Sequence, residues 1–482
     1  MQLNGRHEIY VEDMGYDAKS ILKAWGVIKP VFERNAREID FLHRYLKGDQ
    51  PILQRVKEIR PEICNRTVEN HALEIQNFKV GFTVGEPIQY VLRGDCREHD
   101  PEDRADEGVV KLNEFMNEDD KASKDKELAD WIFQCGAGYR MCLPSAEGSE
   151  IPFETFILDP RQAFVALSDD YRRRPVLCGY RSRNKRIVNI YSEDRLFVIK
   201  DGKVTVKENP LGALPIIRYR HNGELMGCFE SVIDLCNAIN NLAANRLDGV
   251  EQFIQSFIWF HNCDIDSDGF VQLKANGGIK TKSPAGIQAQ IKILSESFDQ
   301  QQTQTLADDL YQKLLTIAGV PDRKASTGGN TGQALIVGNG WVMAESLAKQ
   351  FEMEFSQPEK AFLRLAVSLC AQTSGEGAKL AGDLAISDIE IKFTRNKTDN
   401  LLTKTQALMN MLEAGVHPRE AFKICGLFND PEQAYQDSIP YLENARENAD
   451  KITAQADNTD PVSDELMKMM SGLIENGETG EL

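Results

Sequence analysis

The sequence lacks several features that mark common classes of protein. No apolar run approaches the roughly 18–20 residues that span a bilayer, and the first residues lack a signal-peptide pattern, so no membrane partner is expected. The ten cysteines are scattered without a CxxC pair, which favours reduced thiols over disulfides or zinc ligands. Positive charge is in deficit, because 56 Lys and Arg stand against 74 Asp and Glu, a formal net charge of −18. A broad basic face for tight DNA binding is therefore disfavoured.

Recognisable catalytic motifs are also missing. The seven histidines show no HxxxH or HExxH spacing, and no nucleophile elbow or paired-carboxylate motif accompanies them. Residues 328–335 (GGNTGQAL) place glycines before a helix, but a phosphate-binding loop needs Lys-Ser/Thr where Gln333 and Ala334 stand. We therefore predict a protein that is not an enzyme and has no cofactor.

An aspartate-rich turn is the weak candidate for a metal site. Asp264, Asp266 and Asp268, followed by Gly269, match the first half of a calcium loop. The bidentate glutamate at the twelfth position of such a loop would fall on Ala275. The pattern favours a hairpin turn without a metal, and a calcium site is the alternative.

Hydrophobic periodicity predicts an α+β fold that is mainly helical. Residues 17–47 form one amphipathic helix with Pro30 as a kink, and residues 150–220 form a mostly antiparallel β region with Asp201-Gly202 as a hairpin turn. Further helices are predicted at 62–80, 103–118, 122–137, 229–260, 297–319, from 333 to about 370 with bends at Gly338, Gly340 and Pro358, and at 400–414, 417–425 and 430–452. Residues 80–92 are predicted to form a turn and a strand, 373–383 a glycine-rich loop, and 388–396 a strand.

The helix at 229–260 carries a long apolar stripe. Its central positions are Leu242, Leu247, Val250 and Phe253. One short helix cannot cover a stripe of this length, so we expect it to pack on the second helix at 297–319 and on neighbouring subunits.

The densest basic cluster lies within residues 172–186. It contains Arg172, Arg173, Arg174, Arg181, Arg183, Lys185 and Arg186. The solvent face of twisted strands is the favoured interpretation, and a phosphate-binding patch is the alternative.

Five stretches, taken in order, resemble the portal proteins of tailed double-stranded-DNA bacteriophages of the siphophage type. They are FLHRYLKGDQPIL (41–53), NRTVENHALEIQNFKVGFTVGEPIQY (65–90), the stretch from ENPLGALP to RLDGVEQF (208–253), GVPD with GGNTGQAL (319–335) and FTRNKTDN (393–400). Each stretch alone is a weak signal, but together they cover most of the chain in the family's order.

The resemblance implies a ring, usually of twelve subunits, at one capsid vertex, with double-stranded DNA passing through it. It would divide the chain into a wing (1–228 and 334–392), two stem helices (229–260 and 297–319), a clip (261–296), a tunnel loop (320–333) and a helical crown with an acidic tail (393–482). Implied partners are the terminase large subunit, head–tail connector proteins and the major capsid or scaffolding protein. The implied location is the virion, after assembly in the host cytoplasm.

Within that scheme the tunnel loop supplies the candidate DNA contacts. Its candidate residues are Arg323, Lys324, Gly328, Gly329, Asn330 and Gly332, and the clip adds Lys274, Lys280 and Lys282 for contact with DNA or a partner. Two other hypotheses remain open on sequence alone. One is a nucleic-acid-processing enzyme that uses the basic cluster, and the other is a calcium-binding adaptor that uses residues 264–269.

Overall fold

The computed structural model describes residues 5–93, 104–146, 149, 151–254, 257–261, 290–294, 300–322, 340–373, 376–395, 401–425, 427–428 and 434–441. The chain divides into two compact units. The larger unit holds the described residues up to 395, and the smaller unit holds those from 401 onward.

The helices agree broadly with the periodicity of the sequence. The larger unit contains α1 (Ser20–Leu46), α2 (His71–Val84), α3 (Arg104–Glu118), α4 (Lys121–Cys135), α5 (Ile233–Ile254), α6 (Gln300–Ala318), α7 (Trp341–Ala371) and α8 (Glu376–Asp383). The smaller unit contains α9 (Leu401–Glu413), α10 (Pro418–Cys425) and helical residues 434–441. Helix α1 continues through Pro30 and ends before Gly48, whose φ of 92° is the left-handed conformation of a helix stop.

In the described part of the chain the strands form two sheets that pack together and two short ribbons. The strands are β1 (Tyr10–Val11), β2 (Gln89–Leu92), β3 (Ala137–Pro144), β4 (Phe153–Leu158), β5 (Ala163–Ser168), β6 (Pro175–Arg181), β7 (Ile187–Tyr191), β8 (Arg195–Lys200), β9 (Lys203–Glu208), β10 (Ile216–Arg220), β11 (Phe257–His261), β12 (Gln290–Leu294) and β13 (Ile389–Lys392). One sheet has the order β1-β5-β6-β7-β8-β9 and the other β10-β3-β4, while β11 pairs with β12 and β13 with β2.

The β region is antiparallel, as predicted, except where β1 pairs in parallel with β5. Asp201 and Gly202 join β8 to β9 with φ angles of 49° and 78°, which is the two-residue turn expected of an Asp-Gly pair. Met141 and Ile216 of the three-stranded sheet pack against Val165 of the larger sheet. The fold is therefore a mixed α and β fold, mainly helical, as the sequence predicts.

Three segments differ from the sequence predictions. Residues 80–84, predicted as a turn, complete helix α2, and residues 376–383, predicted as part of a loop, form α8. The helix predicted over 229–260 is shorter, because residues 257–261 are β11 and pair with residues 290–294. The run Phe-Ile-Trp-Phe suits a strand as well as a helix, and the pairing partner decides between the two.

A network of buried charges lies at the centre of the larger unit. This buried ion network consists of Tyr90, Lys121, Asp125, Arg140, Tyr219 and Glu359, all at most 4% exposed. The carboxylate of Glu359, next to Pro358 in α7, lies 3.0 Å from both Arg140 Nη1 and Lys121 Nζ. It also accepts hydrogen bonds from the hydroxyls of Tyr90 (2.5 Å) and Tyr219 (2.6 Å). Helix α7 is thereby joined to α4, β2, β3 and β10.

The charges of this network are balanced. Asp125 pairs with both Lys121 and Arg140, so two carboxylates face two cations. Burial alone would raise the pKa of Glu359, but the charges of Lys121 and Arg140 outweigh it and hold the pKa at about 2. A carboxylate away from water stays ionised only with such compensation.

The described residues can also be checked for disulfides, membrane-spanning helices and metal-binding clusters. The eight cysteines that the structure describes are free thiols, and burial raises the pKa of Cys135 and Cys178 to about 12. Among the described helices, none combines the length and apolar character of a membrane span. In the same part of the chain no cluster of three or more His, Cys, Asp or Glu side chains could hold a metal ion.

Candidate functional site

Helices α5 and α6, which flank the segment 255–299, pack against each other as predicted. Leu242 and Ile239 of α5 face Ala307 and Tyr311 of α6 across a shared cleft. At the side of this cleft, Arg246 Nη1 donates a hydrogen bond of 2.8 Å to Gln304 Oε1. The first part of the apolar stripe on α5 therefore packs against α6 of the same chain.

The second part of the apolar stripe on α5 is exposed to solvent. Leu242 is half-buried, whereas Leu247 and Val250 are each 45% exposed. Phe253, the fourth predicted packing residue, lies in the last turn of α5. An apolar stripe that continues past its intramolecular partner is typical of a surface that another chain covers.

A single aspartate on α5 holds the segment that follows α1. Asp248 lies 2.9 Å from Arg55 Nη2 and 3.0 Å from Lys57 Nζ. It also accepts hydrogen bonds from the backbone N–H (2.8 Å) and the Nδ2 (3.0 Å) of Asn65. We name this arrangement the Asp248 clamp; it fixes residues 55–65 against α5.

The protonation equilibrium of Asp248 reflects these contacts. Burial alone would raise the pKa of Asp248. The hydrogen bonds from Asn65 and Lys57 and the charge of Arg55 outweigh burial and hold the pKa below its ordinary value.

Asparagines on α5 make further bonds to the same part of the chain, which the sequence analysis missed. Asn240 accepts from the Glu69 N–H at 2.7 Å, and Asn237 accepts from the Tyr45 hydroxyl at 3.0 Å. Asn245 accepts from Arg55 Nη2 at 2.5 Å. Asparagine is unfavourable inside a helix, so its repetition along the sequence of α5 was the available signal.

The clamped segment presents apolar side chains outward. Val56 and Ile59 are 80% and 81% exposed, although Arg55 and Lys57 on either side of Val56 are tied to Asp248. Exposed Leu247 stands next to Asp248 in α5. An ordered surface thus carries large uncovered aliphatic groups, the arrangement expected at a subunit contact.

The predicted tunnel loop, 320–333, is described only at residues 320–322. Gly319 has a φ of 64° after α6, and the Val320 N–H donates to the Leu315 carbonyl at 2.9 Å. Beyond the predicted loop, Gly340, with a φ of 84°, precedes the first turn of α7, and Trp341 packs on Phe78 and Phe82 of α2. Gly340 is thus the boundary of α7 and not a bend within it, which corrects the sequence prediction.

Most of the predicted contact residues lie outside the described residues. These are Arg323, Lys324, Gly328, Gly329, Asn330 and Gly332 of the loop, Lys274, Lys280 and Lys282 of the clip, and the candidate metal ligands Asp264, Asp266 and Asp268.

The basic cluster at 172–186 does not form one patch. Arg172–Arg174 lie in the turn before β6, and residues 182–186 lie in the turn after it, roughly 20 Å away along a seven-residue strand. Between them, Arg181 is buried against Phe32 and pairs with Glu33 at 3.0 Å. This separation weighs against the phosphate-binding patch considered above.

Three solved structures are similar to the chain over 81% of its length and 94% of theirs. They are the virion of a native gene transfer agent particle (12% identity, TM-score 0.42), the neck of an empty particle computed with C6 symmetry (13%, 0.44) and the neck of a native particle computed with C12 symmetry (14%, 0.43). A search of curated proteins gave no match.

A family model extends over most of the chain. The model of the phage portal protein, SPP1 Gp6-like, matches residues 26–461 of the 482. This range includes α5, α6, α7 and the buried ion network. The chain therefore belongs to the SPP1 Gp6-like family of phage portal proteins and is a portal vertex protein.

Proposed function

We propose that twelve copies of this chain form a closed ring that conducts double-stranded DNA into and out of the capsid. The observation that carries the proposal is the match of the portal family model to residues 26–461. In this proposal the wing comprises 1–228 and 334–392, the clip 261–296, the tunnel loop 320–333 and the crown 393–482. Helices α5 and α6 are the stem.

The open surface beside α5 supports the assembly part of the proposal. A ring of identical subunits needs two different faces that complement each other. Leu247 and Val250 on α5, and Val56 and Ile59 on the clamped segment, supply exposed apolar area on ordered elements, and burial against a neighbour would remove it from water. The clamp at Asp248 holds these two elements together before assembly.

The charge balance supports the conduit part. DNA must slide, so a tunnel should avoid many simultaneous phosphate contacts, each of which adds affinity. A chain of net charge −18 repels phosphate overall. Arg323 and Lys324 would then form small circles of charge that centre the duplex without trapping it, in a loop that begins directly after α6, where the Val320 N–H donates to the Leu315 carbonyl.

The docking part of the proposal concerns the two ends of the ring and its rim. The clip, with Lys274, Lys280 and Lys282, would meet the terminase large subunit during packaging and head–tail connector proteins afterwards. The wing would face the major capsid or scaffolding protein. Assembly would take place in the host cytoplasm, and the ring would remain in the virion.

The test begins with the mass of the purified protein by light scattering. A dodecamer of the 54.2 kDa chain is expected, with a central channel in negative-stain images. Arg323→Ala with Lys324→Ala should then leave this ring intact but reduce the amount of DNA packaged or retained in complementation.

A matched control removes two positive charges elsewhere. Arg183→Ala with Arg186→Ala changes two exposed residues of the turn after β6 and should package normally. A monomeric wild-type protein would contradict the ring. A loop variant that packages and retains DNA as the control does would show that Arg323 and Lys324 only contribute solubility.

A further inference from the structure

A groove lies between the two packed sheets and α7 in the larger unit. Its volume is about 820 Å³, and β5, β6, β10 and α7 contribute to its walls. Five arginines line it, Arg173, Arg174, Arg218, Arg220 and Arg364, against the two acidic residues Glu8 and Glu193. We name it the arginine groove. On a chain of net charge −18 it is a local concentration of positive charge.

Two of these arginines have no acidic partner among the described residues. Arg218 pairs with Glu8, and Arg220 Nε lies 2.6 Å from Glu354. Arg174 pairs with Asp13. Arg173 and Arg364 are exposed at the groove, and no ion pair of either is found in the described part of the chain. Their guanidinium groups are available to an anionic partner.

The floor of the groove is aliphatic. Leu167, Leu214, Ile217, Ala361 and Leu365 lie among the arginines, and none of the described residues that line the cavity is aromatic. Single-stranded nucleic acids are usually held by stacking of bases on aromatic rings. An aliphatic floor instead suits the apolar side chains of a polypeptide.

One wall of the groove is the edge of a sheet. Among the described strands, β10 pairs only with β3. The Cys142 N–H donates to the Pro215 carbonyl and the His221 N–H to the Gly136 carbonyl, so in β10 the residues that bond to β3 are the odd-numbered ones. The backbone N–H and C=O groups of Arg218 and Arg220 therefore point away from β3. Such an edge can add an extended segment of another chain.

We propose that the arginine groove is a docking site for an extended segment of another protein in which acidic residues alternate with aliphatic ones. Its acidic groups would pair with Arg173 and Arg364, and its aliphatic groups would rest on the floor. This inference goes beyond the proposed function, since the groove lies within one subunit and needs neither DNA nor ring closure.

The probe is a fluorescent peptide of about ten residues in which Glu and Val alternate. Fluorescence anisotropy should show it binding to the wild-type protein, and a peptide with Lys in place of Glu should bind more weakly. Arg173→Glu with Arg364→Glu should weaken binding at least about tenfold, because attraction becomes repulsion at two positions. Both side chains are exposed, so the unfolding curve should not change.

Arg183→Glu with Arg186→Glu is the matched control, with the same charge change on residues that do not line the groove. It should bind the Glu–Val peptide as the wild type does. Equal loss in both variants, or no preference for the Glu–Val over the Lys–Val peptide, would overturn the proposal. A labelled DNA duplex whose binding is lost only in the groove variant would also overturn it, in favour of a nucleic-acid site.

Discussion

Two carboxylates, Glu359 and Asp248, each join a long helix to a distant part of the chain, but in opposite surroundings. Glu359 in α7 is fully buried, and every charge around it has its partner in the same chain. Asp248 in α5 is also well covered, yet the residues near it include Leu247 and Val56, which are exposed. The buried ion network completes the body of one subunit. The Asp248 clamp orders a surface and leaves it uncovered.

The difference indicates which part of the subunit would contact a neighbour in the proposed ring. A region whose polar groups and apolar groups are all satisfied internally gains little from association. On α5 the carboxylate of Asp248 is fully bonded by Arg55, Lys57 and Asn65, but the apolar side chains nearby remain exposed to water. We therefore expect mutations in the network to act on folding, and mutations beside the clamp to act on assembly.

The largest effect on stability is expected from Glu359→Gln. The change removes one negative charge and leaves Arg140 and Lys121 buried with only Asp125, so the free energy of unfolding should fall by about 3–5 kcal/mol. Denaturant unfolding of the purified protein measures this. Glu354→Gln is the control, because its pair with Arg220 is partly exposed and should be worth at most about 1 kcal/mol. Equal losses in the two variants would contradict the central role of the network.

An intermediate effect is expected from Asp248→Asn. The amide cannot accept from Arg55, Lys57 and Asn65 together, and the free energy of unfolding should fall by about 1–3 kcal/mol. Hydrogen exchange should speed up first in residues 55–65. Glu251→Gln, an exposed change in the same helix, should leave both measurements unaltered.

The same variant gives a test by pH. Since the pKa of Asp248 is lower in the folded chain than its ordinary value near 3.9, its contribution is complete above that value and is lost as the pH falls below it. The wild type should therefore lose its advantage over Asp248→Asn in acid. A constant difference between the two proteins down to low pH would show that the ionised carboxylate is not the stabilising form.

The smallest effect on stability, with the largest on assembly, is expected from Leu247→Asp. Leu247 is 45% exposed in the single chain, so the free energy of unfolding should change by less than about 0.5 kcal/mol. Light scattering should nevertheless show monomers or irregular oligomers. Val206→Asp, at a similarly exposed position on β9, should keep the ring. Normal rings from Leu247→Asp would show that this part of α5 is not in the subunit interface. Leu242→Asp is a less specific test, because it would also disturb the packing of α5 on α6.

Local patterns predicted those elements that local interactions determine. Helix α1 and the β8–β9 hairpin follow from a long periodic stripe and an Asp-Gly turn, and both are confirmed. The predictions for the residues of β11 and α8 were wrong. A short apolar run suits either a helix or a strand, and the contacts that decide between them come from other parts of the chain. Strand β13 was predicted, but its pairing with β2, about 300 positions away in the chain, has no local signal.

The candidate site was likewise predictable only where one local element carries it. The apolar stripe on α5 was visible in the sequence, and Leu247 and Val250 are exposed in the single chain, while their packing against a neighbouring subunit stays a prediction. The arginine groove could not be predicted, because Arg173, Arg218 and Arg364 come together only through sheet packing and the placement of α7. For the same reason the charge cluster at 172–186 was visible in the sequence, while its division between the two ends of β6 was not.

The buried ion network also constrains how this sequence can change over time. Lys121, Asp125, Arg140 and Glu359 form one neutral set, and loss of any single member leaves an uncompensated charge in the interior. Replacement of the whole set by apolar residues of similar volume would remove that penalty, so the cost of each change depends on the other three. Relatives of this chain should therefore keep all four residues or replace them together, so we expect the four positions to covary.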